Sequence, residues 1–226
     1  MDLLRRLVKK LRSSADRKFG VPRIWSNQEL RRFAHLFRGD IVNVSGWTDA
    51  DKQGGHYRYY FYNASGYYIT NYKEEQKGIQ DPETEIYLDL EADIPKPLTR
   101  RFDVVFNHTV LEHVYNFQKA FRNLCELSKD VVIVVVPYIQ QLHGIGYMDY
   151  WRFTPHAMRR LYDENGLKLR YCSANGRDRA SIYLFCVGYR NDEWDEHIPE
   201  RFDLKLDEQK DLYADGYTNV VGGNVI

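Results

Sequence analysis

His143 is followed at short range by Gly144, Gly146, Asp149 and Arg152. An imidazole changes charge near neutral pH and is the side chain best suited to remove a proton from a hydroxyl. The neighbouring glycines let such a loop close on a substrate. Asp149 could orient the ring, and Arg152 could hold an anionic group or simply pair with Asp149. The same Asp149, Trp151 and Arg152 could instead cap and brace a following helix, so two roles stand side by side.

A second set of candidates surrounds residues 107–113. His108 and His113 raise the question of a metal site. Their five-residue spacing crosses a strand–helix junction, so a shared face is not assured, and no third ligand is evident. No metal is expected there, and Glu112-His113 reads as a helix-start pair that fixes the loop. Asn107-His108-Thr109 matches a glycosylation sequon, but a strand end beside a cleft makes the match accidental. Tyr57, Tyr59, Tyr60, Tyr62, Tyr67, Tyr68 and Tyr72 form a dense run with His56 and Arg58 between them. Their rings could stack on a sugar or base. Alternation on strand and helix surfaces would produce the same composition without a ligand.

The elements that must position these residues alternate between strand and helix. Residues 40–44, 67–70, 85–88 and 102–106 are β-rich runs. Residues 131–136 are apolar throughout, so both faces of that strand are covered and it belongs at the centre of a parallel sheet. Residues 167–172 and 180–189 supply two last strands. Helical patterns fall at 27–37, 110–127 and 155–164, the last opened by Thr154-Pro155 and closed by Asn165-Gly166. The sum is an α/β chain: a three-layer α/β/α sandwich around a mostly parallel, seven-stranded sheet. Ligands of such sheets sit at the carboxyl ends of the strands, near the reversal of strand order.

The chain has 226 residues, enough for one well-filled domain, and 43% of them are hydrophobic. Lys+Arg and Asp+Glu both number 32, which argues against a protein that coats nucleic acid by bulk charge, and no nucleic-acid partner is expected. Cys125, Cys172 and Cys186 are odd in number and unpaired in spacing, which fits a reducing, cytoplasmic setting. No apolar run approaches the about 20 residues that span a bilayer. Charge is concentrated at the ends. Residues 1–20 carry seven basic and two acidic side chains, with a leucine stripe at helical spacing. This amphipathic helix could pack on the domain, lie on an anionic membrane surface or serve as a transit peptide. Residues 192–211 hold nine acidic and three basic side chains and read as an acidic tail over 191–226, with Trp194 and Phe202 able to dock it. The domain proper is expected over 21–190.

The order of motifs carries a resemblance. Arg101-Phe-Asp-Val-Val-Phe-Asn-His108 leads into Leu111-Glu-His-Val114, then a Val-Pro strand end at 136–137, then His143, then Asp149-Tyr-Trp-Arg-Phe-Thr-Pro155. Over roughly residues 38–190 this resembles the class I S-adenosylmethionine-dependent methyltransferases, in particular the small members associated with glycan and lipopolysaccharide biosynthesis. The resemblance implies a Rossmann-like fold, S-adenosylmethionine as cofactor and a hydroxyl of a saccharide or glycan precursor as acceptor. It implies His143 as base, Asp149 as its orienter and Arg152 as an acceptor clamp. It also places Asn43, Ser45 and Gly46 at the cofactor's turn, Asn71 at its ribose and Asp89 with Leu90 at its adenine. Asn107 and His108 would face the methyl donor. The turn departs from the family's D-x-G-x-G-x-G: Asn43-Val-Ser-Gly-Trp-Thr-Asp49 puts Ser45, Trp47 and Asp49 where glycines are expected. Asn71 replaces the usual acidic residue. A catalytically silent scaffold of a glycan-assembly complex, its first loop having lost the cofactor, is therefore the alternative.

Overall fold

The computed structural model describes residues 22–72, 85–144, 147–175 and 181–203. The N-terminal segment 1–20, Gly146 and the tail beyond 203 lie outside the described residues.

β5 (Ser128–Gln140) is the spine of the sheet. Its run from Val131 to Val136 is buried on every residue. Val132, Val134 and Val136 join one hydrophobic cluster, and Val131, Ile133 and Val135 join the other. A strand with no polar face can only sit between two layers. On the first face lie α2 (Phe117–Leu127) and α3 (Pro155–Glu164), with Phe121, Leu124, Met158 and Tyr162 against the sheet. On the second lies α1 (residues 22–34), whose Leu30, Phe33 and Ala34 recur at helical spacing.

The remaining strands are β1 (Asp40–Val44), β2 (Gly66–Asn71), β3 (Glu85–Tyr87), β4 (Phe102–His108), β6 (Lys168–Ala174), β7 (Ser181–Tyr189) and β8 (Arg201–Phe202). Their order is β3-β2-β1-β4-β5-β7-β6-β8. All neighbours are parallel except β7, which runs antiparallel to both β5 and β6. The chain builds outward from β1 to β3, then restarts at β4 on the other side. The reversal opens a crevice between the carboxyl ends of β1 and β4.

The sheet has eight strands rather than the seven read from the sequence. The extra strand comes from the acidic segment, where Tyr171 pairs with Arg201 and Cys172 with Phe202. Side chains hold it to the domain: Arg201 donates to the Tyr171 hydroxyl (3.2 Å), Asp203 Oδ2 accepts from Ala174 N (3.0 Å), and the Arg159 guanidinium lies 3.6 Å from the Phe202 ring centroid. Trp194 docks the same segment by donating to Asp130 (2.7 Å) and packing on Phe37. α2 begins at Phe117, later than its apolar pattern suggests. Asn116 caps it by accepting from Lys119 N, while Leu111–His113 form a separate 3-10 turn. Glu112 and His113 therefore do not start the helix. Thr154 caps α3 by accepting from Ala157 N (3.1 Å), and Gly166 follows its end at φ 68°. No helix among the described residues is long and apolar enough to cross a membrane.

Gly188 in β7 faces the buried Tyr162, and a Cβ there would meet the ring at 2.3 Å. The ring cannot yield freely, because the Tyr162 hydroxyl donates to Val132 O (3.0 Å). Gly188→Ala is expected to destabilise the domain by about 1–3 kcal/mol in urea unfolding, through overpacking between α3 and the sheet.

Candidate active site

The loop leaving β1 borders the crevice. Ser45, Trp47 and Asp49, which replace the expected glycines, all keep left-handed backbones, at φ 56°, 49° and 58°. Such angles cost a non-glycine residue about 1–2 kcal/mol, so the surroundings must compensate. Asp49 supplies much of that compensation. It is fully buried and accepts from Asn43 Nδ2 (2.8 Å), the Tyr67 hydroxyl (2.7 Å) and Arg58 N (3.0 Å). Asp51 repeats the device by accepting from Gln53 N, Gly55 N and the Tyr60 hydroxyl. Gly46 is packed so closely that a Cβ would come within 2.6 Å of the Asn43 amide. Tyr57, Tyr60 and Tyr67 thus brace this loop from within, while Tyr59 and Tyr62 are exposed.

The amides of the loop face the end of β2. Ser45 N donates to Thr70 Oγ1 (3.0 Å), Gly46 N to Thr70 O (3.1 Å) and Trp47 N to Asn71 Oδ1 (2.8 Å). Asn71 Nδ2 donates to the Glu85 carboxylate. Asn71 is engaged on both sides. Asp89 Oδ1 accepts from Glu91 N (2.8 Å), and Leu90 is buried next to it. Asn107 is fully buried, which leaves the sequon unusable, and its Nδ2 donates to Val44 O (3.0 Å) across the crevice.

His108 turns toward α1, where its Nε2 shares a hydrogen bond with Ser26 Oγ (2.8 Å) and its ring stacks on Tyr57. Burial, helped by the Arg23 charge, holds its pKa well below the ordinary histidine range. Arg23 also donates to Thr109 Oγ1 and the Tyr57 hydroxyl. These α1 residues carry no signal in the sequence, because Arg23 and Ser26 precede the expected start of the helix at residue 27.

The second histidine behaves differently. His113 parts from His108 and meets His143 instead, with ring centroids 4.9 Å apart. Glu112, His113 and His143 place one ligand atom each within 4.8 Å of one another. The third partner missing from the sequence pattern comes from the loop after β5. His113 Nδ1 lies 2.7 Å from Met148 O, so that nitrogen carries the proton and Nε2 is the acceptor. His143 Nδ1 lies 3.0 Å from Asp149 Oδ2. Asp149 in turn takes two bonds from Arg152, at 2.6 and 2.7 Å, and one from His143 N. Burial pushes the Asp149 carboxyl up, but Arg152 prevails and brings it down to about 2. Arg152 also donates to the carbonyls of Gln140, Gln141 and Trp151, which uses all five of its N–H groups. Tyr150 N and Trp151 N both donate to Glu112 O. The 149–152 segment therefore braces the 3-10 turn and orients His143 at once. Glu112 is fully buried, and burial raises its carboxyl to about 8.

Buried polar atoms without a hydrogen-bond partner gather at this end. Among the described residues they belong to Arg58, Asn107, Glu112 (both oxygens), Gln140, His143 and Ser181. Asn107, Glu112, Gln140 and His143 lie at or just after the carboxyl ends of β4 and β5, Ser181 opens β7 beside Gln140, and Arg58 belongs to the connection between β1 and β2. His143 Nδ1 and Arg58 Nε still have carboxylates at 3.0 and 3.8 Å, outside hydrogen-bond alignment. Native interiors satisfy nearly all such atoms, so each of these exceptions is a candidate for a partner outside the chain.

No family model matches the sequence, and no curated protein does. Solved structures match the fold. One is a chain of the Haloferax volcanii complex between a methyltransferase activator and a methyltransferase (13% identity, 80% of this chain, 96% of that one, TM-score 0.56). Another is described as a sarcosine dimethylglycine methyltransferase from Galdieria sulphuraria (12% identity, 75% and 85%, TM-score 0.54). A third is magnesium protoporphyrin IX methyltransferase from Synechocystis PCC 6803 with bound SAH (11% identity, 75% and 83%, TM-score 0.50). Across the similar structures this chain spans from 46% to 97% of the other's length. These likenesses show a Rossmann-like fold shared with methyltransferases.

His108 yields a stability test. Below the ordinary histidine pKa the unfolded chain binds a proton that the folded chain does not, so stability is lost as pH falls through that value. Glu112, whose carboxyl is raised, contributes in the opposite sense over the same range, so the test is the difference: in urea melts from about pH 7 to pH 5 the wild type is expected to lose stability relative to His108→Gln.

Proposed function

We propose that this chain is an S-adenosylmethionine-dependent methyltransferase that methylates a hydroxyl of a saccharide or glycan precursor. One observation carries the reading: among the described residues, buried polar atoms of Asn107, Glu112 and His143 lack hydrogen-bond partners, and these residues follow β4 and β5 at the strand ends where such folds bind ligands.

The residues fit the donor. The first loop keeps its left-handed path without glycines, and Asn107 Oδ1 is a buried acceptor with no protein partner. Asn43, Ser45 and Gly46 would hold the amino-acid end, Asn71 the ribose, Asp89 and Leu90 the adenine, and Asn107 with His108 the strand-end wall. When bound, the cofactor supplies a methyl group on a sulfonium, open to in-line displacement. His143 takes the acceptor proton through Nε2, since Asp149 faces its Nδ1. Arg152 is a positioning residue: its donors are spent on Asp149 and three carbonyls, so it acts through Asp149 rather than as a clamp on the acceptor. Tyr115, Tyr147 and Tyr150 stand exposed near this pair, and such rings can stack on the apolar face of a sugar.

A second reading, the silent scaffold, is favoured by the bonds from Ser45, Gly46 and Trp47 amides to Thr70 and Asn71. Labelled methyl transfer to a panel of saccharides and nucleotide sugars separates the two. His143→Ala is expected to lose about 100-fold or more in turnover, with S-adenosylhomocysteine binding retained. Unchanged turnover would show that positioning alone suffices and that His143 is not the base. No transfer to any acceptor, together with no cofactor binding, would support the scaffold.

A further inference from the structure

We propose that Glu112, His113 and His143 form a binding site for a divalent transition-metal ion. The site stands on geometry alone, while its role in catalysis rests on the methyltransferase reading. The three side chains offer ligand atoms within 4.8 Å of one another, close enough to converge on one ion with small side-chain adjustments. Glu112 is the independent sign. Its side chain is fully buried, and neither carboxylate oxygen has a hydrogen-bond partner. A buried carboxylate normally accepts hydrogen bonds or binds a cation.

The histidines are arranged as metal ligands are. His113 donates Nδ1–H to Met148 O, which fixes the tautomer and leaves the Nε2 lone pair 3.7 Å from Glu112 Oε1. His143 has a carboxylate behind Nδ1 at 3.0 Å, and Arg152 holds that carboxylate in place. Carboxylates or carbonyls behind ligating imidazoles orient them and raise their basicity. Two imidazoles with one carboxylate suit zinc, manganese or iron better than magnesium or calcium, which prefer oxygen ligands. Three protein ligands also leave coordination positions for a substrate oxygen. A cation there would hold the acceptor hydroxyl and favour its ionised form. His143 Nε2 would then be a ligand in place of the base, the acceptor proton would pass to bulk water, and loss of turnover in His143→Ala would follow from loss of the ion.

The full chain, stripped with chelator and dialysed, is titrated calorimetrically with Zn2+ and, separately, with Mn2+. One ion per chain is expected for at least one of them, with Asp149→Asn weakening it by about 10–100-fold. Glu112→Gln and His113→Gln are expected to weaken it further, and His197→Gln, away from the cluster, to leave it unchanged. Circular dichroism checks that each variant is folded, and His113→Gln stands in if Glu112→Gln is not. Absence of stoichiometric binding with either ion would overturn the site. So would equal affinity in wild type and in the folded Glu112→Gln and His113→Gln variants, because the ion would then sit elsewhere.

Discussion

A buried polar atom must find a partner, and among the described residues this fold obeys that constraint at all but a few side chains, of which Glu112 is the one with both oxygens open. Glu29 lies inside the protein and is met by the Tyr171 and Ser173 hydroxyls and by Arg32. Asn123 donates to two carbonyls of the loop after β3, and the Tyr162 hydroxyl reaches Val132 O. Glu112 is as deeply buried as any of these and has no such bonds. It is held there because the backbone of its turn receives Tyr150 N and Trp151 N, so the chain cannot swing the side chain to solvent without undoing that brace. The buried carboxyl is left with both oxygens open to a partner outside the chain, which is the premise of the proposed cation site.

The loop after β1 shows a related economy. Ser45, Trp47 and Asp49, like Lys52 further on, hold backbone angles that glycine adopts without cost. Asp49 secures them with bonds to Asn43, Tyr67 and Arg58, and Thr70 and Asn71 receive the loop amides. Strain of this kind persists only where many contacts determine it, and it clusters at ligand sites. Here the strained path follows the crevice between β1 and β4. The same bonds that secure the path occupy Asn71, so any ligand reaching Asn71 competes with Trp47 N–H.

The central architecture was legible because it depends on local patterns. An unbroken apolar run can only be a doubly covered strand, and Thr154-Pro155 with Asn165-Gly166 brackets α3 at both ends. What escaped depends on distant contacts. β8 is two residues long, and it exists because β6 offers an edge and Arg159 a cation for Phe202. The 3-10 turn at Leu111–His113 shares the apolar spacing of a helix and breaks only where Asn116 caps α2. His113 and His143 are thirty residues apart in sequence, and only the fold of the β5 loop brings them together. The contact between Asp149 and His143 was legible from their spacing, whereas the full engagement of Arg152 was not.

The claim on which the functional account rests is that this strained, glycine-poor loop still holds a nucleoside-bearing methyl donor. Calorimetric titration of the purified chain with S-adenosylhomocysteine tests it, beside the Asn71→Ala variant. The account predicts micromolar binding to the wild type and weaker binding to the variant, which loses both the loop's anchor and the ribose acceptor. No binding at millimolar ligand would contradict it, because a methyltransferase must hold its donor.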